Sequence, residues 1–152
     1  MNPQAAQNYL RTRVFTATPE QLQMMLYDGA IRFTEAGKVA IAKKDWEATY
    51  LNLSRAQKII TELTAGLKPT IAPDICARLA SLYNFIYRKL VDASLNHTIE
   101  SAEEALQLLR YQRETWAMLM EKLGKQKAGD AAARIDMPAP NAKMEAVFSV
   151  QG

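Results

Sequence analysis

A chain of 152 residues, 49% hydrophobic and 23% charged, has the make-up of one ordinary globular domain. The net charge of +3 is carried by scattered lysines and arginines, which argues against a basic groove for nucleic acid. Cys76 is the only cysteine, so no internal disulfide forms, and no run approaches the ~18 apolar residues of a membrane span.

Residues 1–15 read as a polar arm broken by Tyr9, Leu10, Val14 and Phe15, with room for a short helix. The arm has neither the basic nor the apolar region of a secretory signal, so a cytoplasmic protein is expected. A helix-start signal follows. Thr18 suits the N-cap, Pro19 the first helical position, and Gln21 the reciprocal partner of a capping box. The segment it opens runs to about Ala42. Leu22, Leu26, Gly29, Phe33 and Ala36 share one face, while Met24, Met25, Tyr27 and Ile31 spread onto the flank. A helix apolar over so wide an arc is either sandwiched between neighbours or keeps a side for a partner.

The next segment begins at Asp45 as N-cap and carries Trp46, Tyr50, Leu53, Ala56, Ile60, Leu63 and Leu67 at helical spacing, with Gly66 and Pro69 as its stop. A third follows Pro73, with Ile75, Leu79, Leu82, Ile86, Leu90 and Ala93 on one face, and closes at Asn96 and His97. A fourth starts at Thr98 or one turn later, at the Ser101–Glu104 box. It carries Ala102, Ala105, Leu106, Leu109, Trp116, Met120 and Leu123, and Gly124 is its expected end. No stretch alternates with period two. Short connections favour antiparallel neighbours, so the expected fold is all-α, an up-down-up-down four-helix bundle over residues 16–124. The Ala-, Gly- and Pro-rich residues 125–152 read as a flexible tail. Its apolar end, Met144 to Val150, either frays or docks on an apolar groove.

No catalytic constellation is legible. His97 falls in a helix-end turn, Cys76 reads as a small core residue, and the Glu-x-x-His pairs of di-iron bundles are absent. Glu103 and Glu104 read as solvated surface, and Asp28 has Arg32 as an i,i+4 partner. Neither enzyme activity, cofactor nor metal is expected. Several helices instead offer a second apolar row: Tyr83, Tyr87 and Val91 on the third, Leu51 and Ile59 on the second, Leu108, Tyr111 and Met118 on the fourth. Such rows fill the seams of a bundle or form a groove for an amphipathic partner helix.

The run Thr16-Ala-Thr-Pro-Glu-Gln-Leu22 with Met25-Leu-Tyr-Asp-Gly-Ala30 resembles the flagellin-specific export chaperones, the FliS family. Further matches are Leu53, Ala56, Ile59, Ile60, Glu62, Leu63 and Leu67; then Leu79, Leu82, Tyr83, Phe85, Tyr87, Arg88, Leu90 and Ala93; then Glu104, Leu108, Leu109, Arg110 and Trp116. Where the family often has Tyr-Asp-Tyr this chain has Tyr83-Asn84-Phe85, and Ser94 replaces a frequent Asn. The resemblance implies a cytoplasmic chaperone that binds the disordered C-terminal segment of flagellin, prevents premature polymerisation and assists its export for filament assembly. Export-gate and regulatory proteins of the flagellar system are the further partners it implies. With the residue pattern, it makes Met24, Tyr27, Ile31, Leu51, Ile59, Leu79, Tyr83, Tyr87 and Val91 the candidate client-binding residues, with Tyr9 and Leu10 in an N-terminal cap. The alternative is a helical adaptor for some other amphipathic-helix partner.

Overall fold

Five α-helices make up most of the residues that the computed structural model describes, 2–130 of the chain. They are α1 (Pro3–Thr16), α2 (Pro19–Ala42), α3 (Trp46–Ala65), α4 (Pro73–Asn96) and α5 (Ile99–Asp130), and the described residues contain no strand. The arm, with room only for a short helix in the sequence, is the 14-residue α1. Its start is fixed by Asn2, whose side-chain oxygen accepts from the Gln4 amide at 2.9 Å, with Pro3 at the first helical position.

The other helix starts follow their signals. The Thr18 hydroxyl accepts from the Gln21 amide at 3.1 Å, and the Gln21 side chain accepts from the Thr18 amide at 2.9 Å, a complete capping box for α2. Asp45 caps α3 by accepting from the Ala48 amide at 3.1 Å. At its far end α4 closes on His97, which adopts a left-handed φ of 55°. Helix α5 does not stop at Gly124 but continues to Asp130. A glycine inside a helix costs only ~1 kcal/mol relative to alanine. Glu121, Lys122, Leu123, Lys125 and Gln126 around it are all good helix formers. The apolar end expected at Met144 to Val150 lies outside the described residues.

The chain divides into two compact units, Met1–Met25 with Thr115–Gly152, and Leu26–Glu114. In the first, Val14, Ala17, Leu22 and Met25 are buried, and the Trp116 indole N–H donates to the Glu20 carbonyl at 2.9 Å. In the second, the core is built from Leu26, Ala30, Leu53, Ile60, Leu63, Ile86, Leu90, Ala93, Ala105, Leu106 and Leu109. Thr34 is buried among them and satisfies its hydroxyl by donating to the Ala30 carbonyl. Two glycines let α2 and α3 close on each other. A Cβ at Gly37 would sit 2.5 Å from Leu53 Cδ2, and one at Gly29 3.1 Å from Ile59 Cδ1.

The helices of this second unit are arranged in bundle-like fashion and laced by polar pairs. Asp28 pairs with Arg113, Glu35 with Arg110, and Lys38 with Glu103 between α2 and α5, and Lys89 pairs with Glu104 between α4 and α5. The expected Asp28–Arg32 pair gives way to Asp28–Arg113, because α5 offers a guanidinium across the seam. Trp46, Tyr50 and Ile75, expected on core faces, are exposed. They lie within the first two turns of α3 and α4, and Trp46 stacks instead on His97 with ring centroids 3.8 Å apart.

Candidate functional site

Apolar residues at i, i+4 and i+8 stand above one another on a helix, so Leu79, Tyr83, Tyr87 and Val91 form one line along α4. The line does not lie at one depth. Tyr83 is 1% exposed, Leu79 and Val91 are half-buried, and Tyr87 opens to 37%. On α3 the pair splits likewise: Ile59 is fully buried against α2, whereas Leu51 is 47% exposed. From α2, Tyr27 is buried and Ile31 half-buried.

The structure therefore brings Tyr27 and Tyr83 together inside the core. Their hydroxyl oxygens are 2.6 Å apart in a buried hydrogen bond between α2 and α4. Tyr27, Ile59 and Tyr83 are core residues, whereas Leu51 and Tyr87 are exposed and Ile31, Leu79 and Val91 half-buried. Met24 belongs to the other unit and is half-buried there, as is Leu10; Tyr9 is exposed.

Five aromatic residues outside the candidate set are also exposed: Phe15 on α1, Trp46 and Tyr50 on α3, Phe85 on α4 and Tyr111 on α5. Tyr50 was hidden by its regular spacing with the core residue Leu53, and Phe85 by its adjacency to the buried Ile86. Neither has a sequence signal that separates a flank position from a core one.

The polar side chains close seams. Asp92 on α4 accepts hydrogen bonds from the Ser101 hydroxyl of α5 and from the Asn96 side chain. The Ser101 bond is the main reason, and the Asn96 bond the next, that its carboxyl sits below the ordinary carboxylate range. Glu103 is lowered as well, chiefly by its hydrogen bond from Lys38. The hydrogen bond to Asp28 raises Arg113. Among the described residues no group of three or more His, Cys, Asp or Glu could hold a metal ion, and Cys76 is free and half-buried. None of the described helices is long and apolar enough to cross a membrane.

Among the described residues, then, the fold is all-helical, polar groups hold seams between helices, and the flanks expose aromatic and aliphatic side chains. Comparison with known proteins gives the family. Residues 1–123 match the model of the family described as Flagellar protein FliS. The chain is 32% identical over 128 residues to the flagellar secretion chaperone FliS of Bacillus subtilis, covering 84% of this chain and 93% of that protein. To the flagellar secretion chaperone FliS of Salmonella typhimurium it is 32% identical over 118 residues, 77% of this chain and 87% of that one. A crystal structure of a flagellar chaperone from bacteria superposes with a TM-score of 0.64 at 19% identity, over 78% of this chain and 97% of the other, which speaks for the fold. The chain belongs to the FliS family of flagellar secretion chaperones.

Proposed function

We propose that this chaperone binds the disordered C-terminal segment of flagellin in the cytoplasm. Covering that segment prevents premature polymerisation and holds it ready for flagellar export. The observation that carries the reading is the apolar surface left open beside a filled core, with Leu51 and Tyr87 exposed next to buried Ile59 and Tyr83. A disordered client that folds on binding typically buries on the order of 1,000–3,000 Å² and loses several kcal/mol to its own ordering. Non-directional apolar contact provides the compensating gain.

The second unit is read as an up-down-up-down antiparallel four-helix bundle. Three seams support this: Lys38–Glu103 with Asp28–Arg113 between α2 and α5, Gly29–Ile59 with Gly37–Leu53 between α2 and α3, and Trp46 stacked on His97 between α3 and α4. In the first two, residue numbers rise on one helix as they fall on the other, and in the third the first residue of α3 meets the C-cap of α4. Helix α1, with Tyr9 and Leu10, is the cap that competes with the client. Deleting residues 1–12 then strengthens client binding or leaves it unaltered, and a marked loss would make α1 part of the site.

Calorimetric titration with a peptide of the cognate flagellin C-terminal segment tests the reading. Saturable binding with a negative heat-capacity change is expected, the mark of apolar burial. Absence of binding to that peptide, with capture of a different helical protein, would favour the adaptor reading.

A further inference from the structure

On α2, Asp28, Glu35 and Lys38 are each paired with α5, and beside them lie two arginines held against a ring, Arg32 on α2 and Arg55 on α3. The Arg32 guanidinium lies 5.1 Å from the centroid of the Phe33 ring, and that of Arg55, reaching over from α3, lies 5.6 Å from the same ring. Both distances are within cation–π range. Among the described residues neither arginine has a carboxylate within ion-pairing distance, whereas Arg110 and Arg113 on α5 are each paired. Two like charges thus converge on one half-buried ring with no counter-charge among the described residues.

A guanidinium lying against an aromatic ring has its stem and plane fixed, which lowers the ordering cost of a bond to an incoming anion. The surroundings indicate which anion. Leu51, exposed, is one helical turn before Arg55 on α3. Ala36, half-buried, is one turn after Arg32 on α2, and the exposed Val39 follows on the same side. A phosphodiester backbone gains nothing from these aliphatic neighbours and calls for a continuous basic stripe, which this chain of net charge +3 does not carry. A second copy of a chain with that charge meets like charge. A polypeptide that presents an acidic side chain beside apolar ones matches both features.

Resting on the reading that the client is a flagellin segment, we infer that Arg32 and Arg55, held on Phe33, form a docking site for an acidic side chain of that client. The carboxylate sets the register of a segment whose apolar anchors reach Leu51. The guanidinium fork suits bidentate capture of a carboxylate, and apolar contact alone does not discriminate register.

The test is a double-mutant cycle by calorimetry on the full chain. One axis is Arg32→Gln with Arg55→Gln, which keeps the aliphatic stems over Phe33. The other is the cognate flagellin C-terminal peptide against the same peptide with every Asp and Glu changed to Asn and Gln. For the native peptide, the double Gln variant is expected to bind roughly tenfold or more weakly at low salt, with the gap narrowing as salt rises. The neutralised peptide should bind both proteins alike. The Arg32→Lys with Arg55→Lys variant should recover the salt dependence and only part of the affinity. Equal binding of the native peptide by wild type and the Gln variant overturns the inference and leaves the client reading standing. So does an equal loss for both peptides. Failure of the wild-type protein to bind the native peptide overturns both.

Discussion

The seam between α2 and α5 and the outer sides of α3 and α4 dispose of their side chains in opposite ways. Along the seam, Asp28, Glu35 and Lys38 each meet an opposite charge on α5. On the outer sides, Tyr50, Leu51, Phe85 and Tyr87 stay open to water. Solvent-exposed ion pairs contribute little to stability, so the seam's pairs fix which helices neighbour each other more than they hold them together. The exposed aromatics are unfavourable where they stand, and a partner that covers them turns that into affinity. One region finishes the fold, and the other keeps apolar side chains in water, the surface proposed for the client.

Substitutions that break this contrast have ordered effects. The largest is expected for a charge on each side of the buried boundary. Tyr83→Glu places an unpaired carboxylate in the core beside Tyr27 and should cost several kcal/mol of stability, read by urea denaturation. Leu51→Asp with Tyr87→Glu should leave the denaturation midpoint nearly unmoved while weakening the flagellin peptide at least tenfold. If both variants lose stability equally, the contrast between core and outer sides does not exist. Next is Gly37→Leu, whose side chain must displace Leu53. Overpacking of this kind costs ~1–3 kcal/mol, again read by denaturation.

Smaller effects come from the polar contacts. Asp92 titrates below its ordinary value of 3.8 when folded, so the unfolded chain binds the proton more readily. Its stabilising contribution is therefore complete above the ordinary carboxylate range and is lost as pH falls through the lower folded value. Ser101→Ala removes the main cause of the shift. It should lower the melting temperature at neutral pH and make that temperature fall less steeply below about pH 4. Arg110→Ala, at an exposed pair with Glu35, should change stability by no more than about 0.5 kcal/mol.

The sequence spelled out the helices better than their depth. Thr18 with Gln21, Asp45, and Pro73 are local signals, and each sits where its chemistry acts, so helix starts were legible. Depth is set by neighbours distant in the chain. Tyr83 and Tyr87 are one helical turn apart and alike in composition, yet only Tyr83 finds a hydroxyl partner, Tyr27, from another helix. Periodicity could not distinguish them. Asp28 likewise had a credible local partner in Arg32, and the tertiary arrangement supplied Arg113. Lys44 adopts a left-handed φ of 57° in the turn before α3, a position where glycine would have marked the turn.

The central claim is that the surface left open on the bundle belongs to the C-terminal segment of flagellin. Titrating the full-length chaperone with intact cognate flagellin and with flagellin lacking that segment tests it most directly. The account predicts tight saturable binding to the first and none to the second. Equal affinity for both would contradict it.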